Sequence, residues 1–427
     1  MGPNRHRRAA GGHGVAMRAG SILVERVRQT PTMLIAVSAM VLWFLSAAYM
    51  FHFGASWHLD LRVYRAAGNA LRHGGSPFTS NFTSNRLPFT YTPFALLILT
   101  PLSFGSLGLV EAAWWTASAV CLVCAAWLMI RSAFSLSSRR AWAVAALLGA
   151  AASLGLEPVR SNFNYGQINL ILMLMIVADV TWVRPPRRGV LVGVGAAIKL
   201  TPLVFLLFFI VDQKWRAFWQ GIGTFGAVAA ISWAVLPSDS ARYWFHEVTN
   251  AGRTGALGTV SNQSWNGLVH RTPFHGGHLG TAVWLILSLA TLACGAGLAR
   301  WLVMERQPAQ AVLALALTEV LVSPVSWTHH WSWLALSPIV IVSIWTRHRS
   351  VGIALLVVLA IGVSAPYLWV GLDPLSYVAR NALVISGAVA LLIWFLAEAQ
   401  DHRNAPPKYL RWGASPESGA APSATLQ

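Results

Sequence analysis

Apolar runs long enough to cross a bilayer recur along this chain from residue 32 to residue 398. A crossing takes roughly 17 to 25 mostly apolar residues, and in hydrocarbon each backbone polar group must be satisfied inside the protein. A chain patterned in this way folds as packed membrane helices, all-α and polytopic. Composition agrees: 56% of residues are apolar and 11% charged, where a soluble domain carries about 25% charged. The 21 Trp suit the membrane–water interface, and 35 Gly and 21 Pro suit helices that pack closely and break. An ordinary soluble enzyme is excluded.

The expected full spans are 32–52, 108–130, 141–156, 166–182, 215–236, 279–302, 308–324, 329–346, 350–366 and 381–398, about ten in all. Two segments do not fit a simple crossing. Residues 92–105 are short and carry Pro93 and Pro101, and residues 189–211 are interrupted by Lys199 and Pro202. The first reads as re-entrant and the second as two half-helices that enter and return, giving about 12 membrane helices. Breaks of this kind are tolerated where they line a polar cavity. With this assignment 21 of the 31 Lys and Arg fall on the side of both termini, which the positive-inside tendency makes cytoplasmic. The chain then divides into a cytoplasmic basic tail over 1–31, a membrane domain over 32–399 with outer loops at 53–91 and 237–278, and a cytoplasmic disordered tail over 400–427. The first apolar run exceeds a signal-peptide core and lacks a clear cleavage site, so it is expected to stay as a span. The expected location is the plasma membrane, with the polar, irregular loops on its outer face.

A net charge of +17 in a soluble protein would suggest nucleic acid. Here the basic residues collect in cytoplasmic loops, no nucleic-acid motif is present, and no nucleic-acid partner is expected. Ten basic residues fall on the outer side against that tendency: Arg62, Arg65, Arg72, Arg86, Arg160, Lys199, Arg242, Arg253, Arg271 and Arg380. They ask for a functional explanation. Cys121, Cys124 and Cys294 all lie inside apolar runs, which supports neither a disulfide framework nor a zinc site.

Five constellations carry possible chemistry. Asp60, in His58-Leu-Asp-Leu-Arg-Val-Tyr64 just past the first span, is either the N-cap of an interfacial helix or a general base. The stretch from Glu157 through Arg160, Asn164, Tyr165 and Gln167 to Asn169 is densely polar between two apolar runs, as a helix-end site or a hydrogen-bonded loop would be. Lys199, at the break before Pro202, suits an anionic group such as phosphate, or else snorkels to the interface. Ser261-Asn262-Gln-Ser-Trp265-Asn-Gly267 offers amides, hydroxyls and an indole that fit sugar recognition and fit an ordinary loop equally. In Ser323-Pro-Val-Ser-Trp-Thr-His329-His330-Trp331, either histidine can relay a proton, and metal ligation is disfavoured because no third ligand is fixed nearby.

Phosphate-loop, dinucleotide-fold, nucleophile-elbow and H-E-x-x-H signatures are missing, and no Asp-x-Asp pair is present to bridge a metal to a nucleotide sugar. What remains is a carboxylate, cations and sugar-compatible surfaces. In this setting the chain resembles the membrane-embedded GT-C glycosyltransferases, in particular glycosyltransferase family 87. The resemblance is carried by the Asp60 segment, Pro88-Phe-Thr-Tyr91-Thr-Pro93-Phe-Ala, Tyr165-Gly-Gln167-Ile-Asn169-Leu, Ala197-Ile-Lys199-Leu-Thr-Pro202, Asn262-Gln-Ser-Trp265-Asn-Gly and the His329-His330 segment. Within the family the pattern is most similar to actinobacterial enzymes that add α-1,2-linked mannose to phosphatidylinositol mannosides.

The resemblance implies a polyprenyl-phosphate mannose donor, a phosphatidylinositol mannoside acceptor carried from tetramannoside to pentamannoside, and an inverting displacement without a cofactor or metal. It implies Asp60 as the base, assisted by His329 or His330, with Arg160 and Lys199 on the donor phosphate. Tyr64, Tyr91, Gln167, Asn262 and Trp265 are the implied sugar and head-group contacts. A lipid-linked-sugar flippase, or transfer of another sugar such as arabinose, stands as the alternative. Alternating-access transporters more often show paired broken helices in matching halves, and no convincing internal repeat is visible here.

Overall fold

The computed structural model describes residues 22, 24–49, 52, 58–84, 86–273, 277–368 and 374–404. Most of the two expected tails, 1–31 and 400–427, lies outside these residues, as does the start of the 53–91 loop. The architecture is a helical bundle. Helix α1 (Thr32–Tyr49) packs along α5 (Ser138–Gly155), and α4 (Leu107–Ala133) packs between α5 and α7 (Asn169–Thr181). Helices α10 (Trp215–Val235), α13 (Gly277–Met304), α16 (Arg349–Ser364) and α18 (Ala382–Asn404) complete the long elements. Large apolar side chains such as Met33, Phe44, Leu285 and Leu289 point outward, as expected where lipid is the solvent. At the opposite extreme, every residue from Ala309 to Leu321 of α14 (Pro308–Val322) is buried, so this helix forms the centre of the bundle.

Among the described residues six helices are long and apolar enough to cross a membrane, and a seventh crossing results if α5 and α6 (Glu157–Tyr165), bent by 81° at Leu156, count as one. The protein is an all-α, multi-pass membrane protein. The expected ten full spans exceed that number because several apolar runs are not single long helices. Helices α7 and α14 have 13 and 15 residues, about 20 Å at 1.5 Å per residue. The expected span 329–346 opens as nine residues of 3-10 helix, Thr328–Leu336, and becomes α-helical only in α15 (Ser337–Ile344), where Pro338 takes a first-turn position that needs no N–H donor.

The expected break at Lys199 is present. Helix α8 (Val190–Ile198) ends there, and a 3-10 turn (Thr201–Phe205) leads into the short α9 (Leu206–Val211). Both ends of this hairpin meet the start of α10: Gly189 abuts Ala217, and Val211 leads through Lys214 into Trp215. Close approach needs small residues, because a Cβ on Gly193 would stand 2.4 Å from the Gly221 carbonyl oxygen. The buried Asp179, near the end of α7, accepts from the backbone N–H groups of Gly189 and Val192 at 2.8 Å, which satisfies the first turn of α8. The polar segments at the other end of the bundle include α2 (Leu59–Arg72), a two-stranded pair (Asn81–Phe82 with Leu87–Pro88), α3 (Pro93–Leu99), and the segment 237–273 with α11 (Pro237–Arg242) and α12 (Trp265–His270). Together with α6 and the 3-10 helix Thr328–Leu336 they surround a cavity.

Candidate active site

The cavity has a volume of about 680 Å³. Asp60, Tyr91, Glu157, Arg160, Tyr165, Gln167, Lys199, Trp327, His329 and His330 line it, with Glu247 and Arg253 from the long loop. Seven of the ten residues singled out from the sequence therefore share one cavity: Asp60, Tyr91, Arg160, Gln167, Lys199, His329 and His330.

Local structure explains how Asp60 and Gln167 meet. Helix α6 ends at Gly166, in the left-handed region at φ 67, which a glycine adopts without a Cβ clash. A Cβ on Gly166 would lie 2.7 Å from the Cβ of Leu61. This bare turn lets α6 rest on the first turn of α2, so that Gln167 Nε2 donates to Asp60 Oδ2 at 2.5 Å. Gln167 Oε1 accepts from Tyr91 Oη at 2.8 Å, and Tyr91 Oη accepts from Tyr64 Oη at 2.8 Å. Burial pushes the Asp60 carboxyl up to about 6, against the opposing pull of the Gln167 hydrogen bond and the Lys199 charge. The group is thus ionised near neutrality and close enough to it to take up a proton. Burial also holds the Tyr64 and Tyr91 phenols well above their ordinary range, so both remain donors.

Lys199 stands at the break after α8. Its Nζ donates to Asn169 Oδ1 at 2.9 Å and meets His330 Nε2 at 2.9 Å, with buried Glu319 of α14 nearby. Because an ammonium has only donors, His330 must present Nε2 as an acceptor. The two histidines are thereby distinguished. His330 holds the lysine, while the buried His329 Nε2 has no hydrogen-bond partner among the described residues. Glu157 is not available in the same way: its carboxylate accepts from Thr328 Oγ1 at 3.1 Å and Tyr367 Oη at 2.6 Å, joining α6 to the histidine segment. Arg160, one turn on, donates to the Leu154 carbonyl at 3.1 Å and is only partly buried.

Three expected sugar contacts lie elsewhere. Tyr64 is 1% exposed and stands behind Tyr91, away from the cavity lining. Asn262 is fully buried; its Oδ1 accepts from Ser326 N–H at 2.9 Å and Ser264 Oγ at 3.0 Å, while Nδ2 donates to the Leu257 carbonyl at 3.0 Å. It fastens the long loop to the histidine segment. Trp265 donates Nε1 to Thr291 Oγ1 of α13 at 2.9 Å, outside the cavity. Their amides, hydroxyl and indole serve the loop's own fold.

Most of the outer basic residues are likewise engaged by the protein. Arg65 donates to the carbonyls of Leu102 and Gly105, and Arg271 to Asn381 Oδ1 and to the carbonyls of Thr259 and Asn262. Arg242 and Arg253 both pair with Glu247, and Arg62 lies 3.6 Å from Glu111. Lys199 and Arg160 are the two whose charge lies beside Asp60 and the histidines in the cavity without a direct ion pair among the described residues. Given no role from the sequence were Glu247, Arg253 and Trp327 at the cavity wall, and Tyr367, which arrives from 210 residues beyond its partner Glu157, was not singled out. No local pattern announces such partners.

The family model for "Glycosyltransferase family 87" matches residues 89–324. A Mycolicibacterium smegmatis protein named polyprenol-phosphate-mannose-dependent alpha-(1-2)-phosphatidylinositol pentamannoside mannosyltransferase is 33% identical over 314 residues, covering 72% of this chain and 74% of its own length. A Mycobacterium tuberculosis protein named polyprenol-phosphate-mannose-dependent alpha-(1-2)-phosphatidylinositol mannoside mannosyltransferase is 32% identical over 317 residues, covering 70% and 74%. The matched region contains Tyr91, Arg160, Gln167 and Lys199, the residues that surround the carboxylate in the cavity. With more than half of its length under the family model and relatives aligned over most of theirs, this chain belongs to glycosyltransferase family 87.

Proposed function

We propose that the chain transfers mannose from polyprenyl-phosphate mannose to a hydroxyl of a phosphatidylinositol mannoside, forming an α-1,2 linkage with inversion. Asp60 takes the proton of the acceptor hydroxyl as its oxygen bonds to the anomeric carbon. The bond from that carbon to the phosphate oxygen breaks, and polyprenyl phosphate leaves with the electron pair. Lys199 and Arg160 meet the phosphate, where fixed cations act most strongly in a site shielded from water. His329 holds a sugar hydroxyl through its Nε2, which has no partner among the described residues, and His330 keeps Lys199 in place. Tyr91 and Gln167 form the wall beside the sugar.

The observation that carries this reading is the convergence of a carboxylate, held at one oxygen by Gln167, and a lysine fixed by Asn169 and His330 in one cavity. The names of the relatives support the donor and the acceptor class. The proposed topology has ten crossings, both termini and the ends of the 32–399 domain cytoplasmic, and the cavity on the outer face of the plasma membrane. It is supported by the α8–α9 hairpin, which returns to its starting side, and by Arg347, which pairs with Glu305, Glu398 and Asp401 where α13, α15 and α18 finish together. The shorter helices then cross as pairs of elements or with local thinning of the bilayer.

The test is a transfer assay with purified protein, polyprenyl-phosphate mannose and phosphatidylinositol mannosides of increasing mannose number, read by mass spectrometry. One added hexose, α-1,2-linked and absent with Asp60→Asn, is expected. A folded protein that uses only another polyprenyl-linked sugar, or that moves the lipid across a liposome without transfer, refutes the proposal.

A further inference from the structure

Among the described residues Asp60 is oriented by a single carboxamide, and a carboxamide turned by 180° offers a carbonyl where it had offered N–H donors. The hydroxyl pair behind Gln167 decides which face it shows. Tyr64 donates to Tyr91, Tyr91 donates to Gln167 Oε1, and Gln167 Nε2 donates to Asp60 Oδ2. In this direction every proton in the chain falls on an acceptor, and the carboxylate is the final one. In the opposite direction the Tyr64 proton has no acceptor among the described residues, and the Gln167 carbonyl faces the Asp60 oxygen. Both faults are expensive in a buried setting, because an unmet donor and two opposed acceptors keep their desolvation penalty. The tyrosines are themselves held rigid, with rings edge-on at 5.2 Å and Tyr64 against Trp114 at 6.0 Å.

We propose that Tyr91, backed by Tyr64, is a positioning residue that locks the Gln167 amide with its N–H toward Asp60 and so keeps the base ionised and aimed. The proposal rests on Asp60 being the base of the transfer reaction. The other titratable groups close to Asp60 are Lys199, at the α8 break, and Tyr165 of α6. Glu111 of α4 faces His58 and Arg62 on the same end of α2, at 3.3 Å and 3.6 Å. A Tyr→Phe change at 91 or 64 leaves all of these in place, and removes one hydroxyl from a chain that ends on the carboxylate.

The test compares the pH dependence of kcat/KM for wild-type full-length protein, Tyr91→Phe and Tyr64→Phe, with Asp60→Asn as the reference for a missing base. In Tyr91→Phe the acid limb is expected to move up by about half to one pH unit, a loss of roughly two- to five-fold at about pH 6 that largely recovers by about pH 8.5. Tyr64→Phe should move the limb in the same direction by less, and since Tyr64 is buried behind Tyr91 it cannot act through substrate contact. A limb that stays in place in both variants, with activity either full or uniformly lowered, overturns the relay. An effect of Tyr91→Phe confined to KM, with no change from Tyr64→Phe, overturns it as well and makes Tyr91 a substrate contact. Failure of the underlying reading is read separately: turnover that survives in Asp60→Asn removes the base, whatever the tyrosine variants do.

Discussion

Lys199→Met removes a positive charge while keeping most of the side-chain volume, and the structure indicates what should follow. Two of the three ammonium protons are directed at Asn169 Oδ1 and His330 Nε2, each at 2.9 Å, so the third remains for a ligand. A phosphate oxygen about 4 Å from that charge gains roughly 4 kcal/mol at an effective dielectric constant of 20. Removing one preorganised donor from a developing oxyanion typically costs about 3 to 4 kcal/mol, which corresponds to a drop of two to three decades in kcat/KM. A second effect separates this variant from a general defect. Lys199 pulls the Asp60 carboxyl down against burial, so without the lysine the carboxyl rises above about 6. The base must be ionised to act, and the acid limb of kcat/KM therefore moves to higher pH. The assay is initial-rate transfer from polyprenyl-phosphate mannose across pH, alongside a thermal melt. The change also leaves buried Glu319 without its cation, and Lys199→Met with Glu319→Gln restores charge balance to show that any loss is not one of folding. A Lys199→Met protein with activity within threefold of wild type and an unmoved limb would refute the assignment of Lys199 to the donor phosphate.

Four further outcomes are expected. Asp60→Asn keeps the shape of the side chain and loses the base, so transfer should fall by about two to four decades while binding of donor, measured by calorimetry, is retained. Wild-type kcat/KM should fall as pH drops through about 6, because the Asp60 carboxyl is pushed up to that value and takes a proton there; a profile flat to pH 4.5 contradicts this. In Gly166→Ala the left-handed φ and the 2.7 Å approach to Leu61 force α2 away from Gln167; the reaction should slow at least tenfold for a backbone penalty of only about 1 to 2 kcal/mol, read as kcat against melting temperature. Asn262→Ala strips several buried hydrogen bonds, so it should lower stability by about 2 to 4 kcal/mol with KM unaltered; a raised acceptor KM in a stable variant would return Asn262 to the sugar site.

The site was legible where a residue type was out of place in its surroundings. Lys199 beside Pro202 interrupts an apolar run, and the structure has the chain turn back there. Asp60 is acidic at the start of an amphipathic helix, and Gln167 follows a glycine that ends another. Each is a local mismatch with a membrane pattern, and such mismatches persist where a cavity supports them. Asn262 and Trp265 looked the same in the sequence, since amides, hydroxyls and an indole suit a sugar and suit a loop that must satisfy its own backbone. The outer arginines misled for a related reason: a guanidinium placed against the positive-inside tendency can serve a helix end, as Arg65 does at Leu102 and Gly105, as readily as a ligand.

Hydrophobic runs, charge bias and helix-breaking residues determined by themselves that this chain is a bundle of membrane helices with its irregular segments gathered at one end. Those signals are local, set by transfer free energies and backbone geometry residue by residue. The tertiary structure alone decided which polar side chains share a cavity, that His330 is bound to Lys199 while His329 Nε2 meets no partner among the described residues, and that Tyr64 stands behind Tyr91 behind Gln167. These contacts join residues 27, 76, 107 and 131 positions apart. Hydrogen bonds act over about 3 Å, and only the packing of the helices brings such distant positions within that reach.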